Sequence, residues 1–144
     1  MKVKTIEFVD LENKILKTRK SFRDILASEI GKAYVVAITR DSCPACQRQK
    51  PKLDQLAHNL PVEKGDKTVF VWIHVKYSDE SNEEALRSKD VLNHYFFPTN
   101  LILIRTKDRG ATELYRNVSP RMSELKRNID IAVKIADVVK NTKN

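Results

Sequence analysis

Two runs of apolar, β-branched residues stand out in the hydrophobic pattern of the chain. Ala33–Thr39 and Thr68–Val75 are apolar at nearly every position, which is typical of strands covered on both faces of a sheet. The pattern is weaker in Lys2–Val9, which alternates loosely. Leu101–Arg105 and Thr112–Tyr115 flank a short polar segment with a glycine, and this spacing predicts a β-hairpin.

Elsewhere, apolar residues recur at helical spacing. The four predicted helices cover residues 11–30, 42–60, 79–93 and 120–139. Asp10 is the predicted cap of the first helix and Gly31 its stop, since glycine readily takes the left-handed conformation that ends helices. Ser119 is the predicted cap of the last helix, with Pro120 at its first position, where no N–H is needed. Residues 60–66 have the composition of a turn.

The order of these elements is β-α-β-α-β-α-β-β-α, which predicts an α/β fold. Right-handed crossovers make the first three strands parallel, and the terminal hairpin adds antiparallel strands at one side. We therefore expect a central mixed sheet of three parallel strands plus an antiparallel hairpin, flanked by about four helices. The sequence has no internal repeat and no linker-like tract, so a single domain over residues 1–144 is predicted.

Composition narrows the class of protein. The chain has 144 residues, 41% of them apolar, which is enough to bury a core and excludes a disordered tail or a disulfide-dense miniprotein. Its net charge of +8 permits anionic partners, but no nucleic-acid-binding motif accompanies the charge, so nucleic acid is not favoured. No apolar run reaches signal-peptide or membrane-span length. We expect a cytoplasmic protein with no membrane partner.

The two cysteines, Cys43 and Cys46, directly follow a predicted buried strand and begin a predicted helix. Free N–H groups and the helix dipole at such an N-terminus favour a thiolate over a thiol. Pro44 is tolerated there and stiffens the turn, and Cys46 lies in the same first turn, so the sulfurs can approach. Cys43, expected to be the more exposed, is the predicted nucleophile, and Cys46 the predicted resolving thiol.

Two other interpretations of the cysteine pair stay open. It could form half of a zinc site with His58, His74 or His94, although these histidines do not cluster at ligand spacing. It could also be chemically inert, either reduced or permanently bridged. Redox exchange is the favoured interpretation because a close cysteine pair in a reducing cytosol is seldom a structural staple. It requires no metal and no organic cofactor.

The chain resembles the thioredoxin-like superfamily over nearly its whole length. The resemblance is carried by the C-x-x-C motif at a helix start, by Pro51 five residues after the second cysteine, and by Phe97-Pro98-Thr99 immediately before a strand. It implies a thioredoxin fold and a cis peptide before Pro98, packed against the cysteines. A backbone turned in this way can pair with an extended substrate. An ordinary trans proline at the start of an edge strand is the alternative.

The sequence also departs from the family pattern. Family reductants often carry a buried aspartate on the strand before the cysteines and a lysine on the next strand; Ala37 stands at the first position, and Val71 or Trp72 at the second. Cys-Pro-x-Cys is similar to glutaredoxin or to bacterial oxidants of this superfamily. The glycine-rich segment with which glutaredoxins bind glutathione is replaced by Arg116–Ser119, so glutathione dependence is not expected.

The resemblance implies a thiol–disulfide oxidoreductase acting on disulfide-containing proteins and recycled by a reductase or a thiol pool. Its substrate-binding residues are expected to be Phe97, Pro98, Thr99, Pro44 and Ala45. The alternative is a non-catalytic binding or redox-sensor module on the same fold. Tyr95–Phe97 could form an apolar rim that receives substrate, whereas the aromatic residues of the strand at 68–75 are expected to fill the core.

Overall fold

The computed structural model of the protein describes residues 3–142. Its strands are β1 (Val3–Glu7), β2 (Ala33–Arg40), β3 (Thr68–Val75), β4 (Thr99–Arg105) and β5 (Ala111–Val118). Its helices are α1 (Phe8–Thr18), α2 (Phe22–Leu26), α3 (Pro44–His58), α4 (Val62–Gly65), α5 (Glu83–Val91) and α6 (Met122–Asn141). None of the helices in this range has both the length and the apolar character needed to cross a membrane.

The five strands form one sheet in the order β1-β3-β2-β4-β5. β1 and β2 both run parallel to β3, whereas β4 is antiparallel to β2 and β5 is antiparallel to β4. The expected mixed sheet of three parallel strands and an antiparallel hairpin is confirmed. Within residues 3–142, six helices flank it rather than about four, because the helix predicted over residues 11–30 is divided into α1 and α2, and the segment predicted as a turn contains α4.

β2 is central and divides the core into two layers. Because successive side chains of a strand point to opposite faces, Val35 and Ala37 lie in the layer beneath α3 and α6, and Val36 and Ile38 lie in the layer beneath α1, α2 and α5. All four are fully buried. The continuous apolar character of this strand thus has its cause in helices on both faces of the sheet.

The N-terminal helical region differs from its prediction. The helix begins at Phe8 after Glu7, so Asp10 lies in its first turn and is not its cap. It ends at Arg19, whose φ of 59° is left-handed, and a second helix starts after Ser21, whose side chain accepts a hydrogen bond from the Asp24 N–H. A single helix over residues 11–30 is therefore wrong. The helix is interrupted at Arg19, and the spacing of apolar residues does not predict an interruption there.

The boundaries of the last helix were also predicted wrongly. Arg121, not Ser119, precedes the first helical residue, Met122. Ser119 itself has φ 45°, a conformation outside the extended region that helix caps adopt, and its N–H donates a 3.1 Å hydrogen bond to Pro98 O. This bond ties the start of α6 to the loop before β4. Residues 60–66, predicted as a turn, contain the short helix α4.

Candidate redox site

Cys43 and Cys46 occupy the junction between β2 and α3, as predicted. Cys43 is the N-cap residue of α3, with extended backbone, and its Sγ accepts a 3.2 Å hydrogen bond from the Cys46 N–H. Pro44 is the first helical residue. A disulfide joins the two cysteines across a Cα–Cα distance of 5.2 Å. The pair is therefore within bonding range at a helix N-terminus, where the Cys46 N–H points to the sulfur of Cys43.

Both cysteines are buried in this disulfide form. Cys43 is 4% exposed and Cys46 is 2% exposed, and both lie in the core layer that contains Trp72. Cys43 is thus the more exposed by a small margin only, because the loop before β4 lies against its sulfur. At the surface the motif presents Pro44, which is exposed, and Ala45, which is half-buried.

The loop at Phe97–Pro98 covers the cysteine pair. The Phe97–Pro98 peptide bond is cis, and Phe97 O lies 3.7 Å from Cys43 Sγ, although the two residues are 54 positions apart. The loop is fixed on both sides, since Thr99 Oγ1 donates a 2.6 Å hydrogen bond to Phe96 O and Pro98 O accepts from the Ser119 N–H. Of the three residues Phe97, Pro98 and Thr99, the structure thus brings the carbonyl of Phe97 to the sulfur of Cys43.

His94 supports this loop from behind, a role that the sequence pattern did not reveal. Its ring meets the Phe97 ring edge-on at a centroid distance of 4.8 Å. Nδ1 lies 3.2 Å from Phe96 O and Nε2 lies 3.1 Å from Ser88 Oγ. Burial lowers the pKa of His94 to about 4, although the hydrogen bond with Phe96 acts in the opposite direction. The ring is therefore neutral at pH 7, and it holds the loop through its hydrogen bond with Phe96 O and its packing against the Phe97 ring.

Arg40, the last residue of β2, holds the peptide that leads into Cys43. Its Nη1 donates hydrogen bonds to Asp41 O at 2.8 Å and to Ser42 O at 3.1 Å. The guanidinium also lies 3.8 Å from the centroid of the Tyr77 ring and 5.7 Å from that of Phe97. The guanidinium is thus held against two aromatic rings and fixes the two residues that precede Cys43.

An aromatic rim lies beside the loop. Tyr95 is 77% exposed and Phe96 is 65% exposed, whereas Phe97 is half-buried between the two core layers. In contrast, Phe70 and Trp72 are buried beneath α3 and α6, so the expectation that the strand aromatics fill the core is confirmed. Tyr95 and Phe96 thus place two large exposed rings beside the loop that covers the cysteine pair.

Comparison with solved structures identifies this architecture. Thioredoxin NaTrxh from Nicotiana alata superposes with a TM-score of 0.59 at 18% identity, over 92% of this chain and 95% of that one. Thioredoxin f from spinach chloroplast, in its short form, gives 0.57 at 19% identity, over 91% and 93%. Trichomonas vaginalis thioredoxin gives 0.58 at 14% identity, over 90% and 96%. The chain has a thioredoxin fold. No protein-family model matches its sequence, and no curated protein does either.

Within the thioredoxin fold, this chain has a neutral buried pair close to Cys46. Gln49, one turn beyond Cys46, and Asn100, in β4, are both buried. Gln49 Nε2 donates to Asn100 Oδ1 at 2.8 Å, and Asn100 Nδ2 donates to Gln49 Oε1 at 3.3 Å. Asn100 stands opposite Ala37 in the sheet. The two amides therefore satisfy each other inside the core layer beneath α3.

A second polar cluster of this thioredoxin fold lies at the carboxyl ends of the three parallel strands. His74 lies between Glu7 and Asp41: Nδ1 is 2.8 Å from Glu7 Oε2, and Nε2 is 2.7 Å from Asp41 Oδ1. Burial opposes a charge on His74, but hydrogen bonds with the two carboxylates outweigh it and raise its pKa above the ordinary value. The hydrogen bond from His74 lowers the pKa of Asp41. Asp41, two residues before Cys43, is held by this bond and by a second one from the Tyr77 N–H.

Metal ligation was one alternative for the cysteine pair. Within residues 3–142, no group of three or more His, Cys, Asp or Glu side chains is arranged to hold a metal ion. His74 and His94 have the carboxylate, hydroxyl and carbonyl partners described above, and neither is among the hydrogen-bond partners of the sulfurs.

Proposed function

We propose that this protein is a thiol–disulfide oxidoreductase that reduces or exchanges protein disulfides through Cys43 and Cys46. The observation that carries the proposal is the position of the pair: two cysteines joined by a disulfide at the N-terminus of α3, facing the Phe97 carbonyl. A sulfur that accepts a backbone N–H at a helix N-terminus is stabilised as a thiolate, which is the form that attacks disulfides.

In the proposed cycle, the Cys43 thiolate attacks one sulfur of a substrate disulfide. The substrate S–S bond breaks, a Cys43–substrate mixed disulfide forms, and the departing thiolate takes a proton from solvent. Cys46 then loses its proton, and its thiolate attacks Cys43 Sγ, which releases the second substrate sulfur as a thiolate. Two electrons have passed to the substrate and the Cys43–Cys46 disulfide remains. An external dithiol reductase or a thiol pool returns it to the reduced form.

The surrounding residues have distinct proposed roles. The backbone of Phe97 and Pro98 would pair with an extended segment of the substrate, as in strand addition, while Thr99 fixes the loop through its bond to Phe96 O. Pro44 and Ala45 would contact the substrate on the opposite side of the cysteines. A reducing cytosol is the proposed compartment, because it keeps the pair available for turnover.

Burial of both sulfurs favours one second candidate. Cys43 and Cys46 are almost inaccessible as a disulfide, which would suit a redox-sensor or binding module that changes state without turnover. The two candidates differ in kinetics. An oxidoreductase reacts many times in the presence of a reductant, whereas a sensor reacts once.

The test is the reduction of insulin disulfides by dithiothreitol. The reaction is monitored through the turbidity that appears as the released chain precipitates. We expect wild-type protein to accelerate the reaction catalytically and Cys43→Ser to abolish the acceleration, with Ser42→Ala as the matched control for a change of the adjacent exposed residue. Equal, negligible acceleration by wild type and Cys43→Ser would contradict catalysis. Alkylation of the reduced protein at graded pH assigns the roles, since Cys46 reacting faster than Cys43 would reverse them.

A further inference from the structure

A groove with three basic residues opens beside the cysteine motif, on the side of α6. It has a volume of about 400 Å³. Arg48 and Lys52 of α3 form one wall, and Arg121, at the start of α6, stands on the other. We call this the basic groove. Its remaining lining is uncharged, so no carboxylate lies within the groove to neutralise the three cations.

Within residues 3–142, none of these three cations takes part in an ion pair. By contrast, Lys50 of the same helix is paired with Asp54 at 3.0 Å. Glu124 is the acidic group near Arg121, but hydrogen bonds from the Tyr115 hydroxyl and the Asn117 amide engage its Oε2 and are the main cause of its lowered pKa, to which Arg121 adds a small part.

The basic groove is continuous with the redox site. Ala45, which separates the cysteines together with Pro44, lies in its lining. Its far wall is tied to the loop that faces the sulfurs, because the Ser119 N–H donates to Pro98 O. A molecule that reaches Cys43 Sγ past this loop therefore passes within reach of the basic groove.

A second groove lies on the opposite side of the cysteines, toward α5. It has a volume of about 390 Å³, and Tyr95, Phe96 and Phe97 contribute to its lining. This second groove offers aromatic surface, together with the Arg40 and Lys89 side chains. The two grooves differ in character: the one beside α6 has three cations and no aromatic ring, whereas the one beside α5 combines the exposed rings of Tyr95 and Phe96 with two cations.

We propose that the basic groove binds acidic side chains of a protein substrate, next to the cystine that Cys43 attacks. This inference rests on the proposed function and specifies its substrate class: an extended segment with Asp or Glu on one side of its cystine and an apolar residue on the other. Two grooves of different character on either side of the sulfurs favour an extended chain over a small disulfide, which would occupy one of them. Three exposed cations act mainly by steering and orienting such a substrate.

The test uses two cystine-containing peptides that differ only in having Glu or Gln at the positions flanking one cysteine. We expect the reduced wild-type protein to prefer the Glu peptide by about tenfold in kcat/KM, which corresponds to a modest contribution from each exposed cation. The preference should shrink as added salt rises from about 20 to about 300 mM, because screening weakens exposed charge pairs.

In the variant Arg48→Glu/Lys52→Glu/Arg121→Glu, the ratio of kcat/KM for the Glu peptide to kcat/KM for the Gln peptide should fall to one or below. The control Lys14→Glu/Lys17→Glu/Lys20→Glu makes the same change in net charge at the α1 region, on the other face of the sheet, and should preserve the ratio. The ratio cancels any change in intrinsic thiol reactivity. A control variant that loses the preference equally would overturn the inference, because the effect would then come from net charge alone.

Other outcomes separate the two proposals. If the wild type reduces neither of the two peptides nor the small neutral hydroxyethyl disulfide, the proposed function itself is contradicted. Reduction of both peptides at equal rates would leave the proposed function standing and would overturn the inference that the basic groove binds acidic side chains. Inhibition by a random-sequence DNA duplex, without inhibition by a cysteine-free Glu-rich peptide, would assign the groove to nucleic acid and also overturn the inference.

Discussion

Gln49 Nε2 donates a 2.8 Å hydrogen bond to Asn100 Oδ1 in the core layer that contains both cysteines. The two residues come from α3 and β4, so the bond joins the helix that carries the cysteines to the strand that follows the Phe97–Pro98 loop. Each amide is satisfied by the other. This mutual dependence makes the pair sensitive to the loss of one member.

Asn100→Leu should lower the free energy of unfolding by about 1–3 kcal/mol, because it leaves the Gln49 amide buried without a partner. The double variant Gln49→Leu/Asn100→Leu should be clearly more stable than the sum of the two single changes predicts, since both polar groups are then removed. Urea unfolding of the four proteins measures the coupling. Strict additivity would mean that the two amides do not depend on each other.

Arg40→Met should lower the free energy of unfolding by about 1–3 kcal/mol, because it removes charge-assisted hydrogen bonds to Asp41 O and Ser42 O. Arg40→Lys should recover part of the loss, since an ammonium retains the charge but lacks the flat guanidinium that stacks on Tyr77. Urea unfolding of the disulfide form provides the measurement. A methionine variant as stable as wild type would show that the loop is held by other contacts.

His94 should make the protein acid-sensitive. Its folded-state pKa of about 4 lies below the ordinary value of 6.5, so protonation favours the unfolded chain and stability falls as pH drops below 6.5. The loss by pH 4 should amount to roughly 3 kcal/mol, and His94→Gln should lack this component. Unfolding free energies measured across this range test the prediction, and parallel pH profiles for the two proteins would refute it.

His74 should have the opposite pH dependence. Its pKa is raised, so its contribution to stability is complete below the ordinary value of 6.5 and is lost as pH rises through the higher folded-state value. The melting temperature of wild type should therefore fall relative to that of His74→Gln above pH 6.5. Because Glu7 and Asp41 are both partly exposed, raised ionic strength should reduce the difference. A constant difference from acidic to alkaline pH would contradict this origin.

The apolar pattern predicts the sheet well because burial on both faces requires it. The bounds of β3 agree with the sequence pattern, and those of β2 differ by only one residue, Arg40. The helical boundaries depend on single backbone conformations that apolar spacing does not encode. Arg19 and Ser119 both have positive φ, and neither is a glycine, so no residue type marks the positions at which the chain turns.

In the candidate site, too, some features can be predicted from local sequence and others depend on residues far away in the chain. Local sequence predicts that Cys43 lies at the start of a helix, because the motif follows a buried strand and contains Pro44. Its burial depends on Phe97, 54 residues later, and is therefore a property of the folded sheet. The support from His94 was equally hidden, since a histidine that hydrogen bonds with Ser88 Oγ and Phe96 O has no distinguishing spacing in the sequence.

The order of the strands has a consequence for synthesis. Cys43 and Cys46 follow β2, but the carbonyl that faces them precedes β4, which lies against β2 with Ile38 opposite Thr99. A nascent chain emerging from the ribosome therefore contains both thiols well before it contains the wall that covers them. During that interval the thiols lack this covering wall, which is complete only when the second half of the polypeptide has docked against β2.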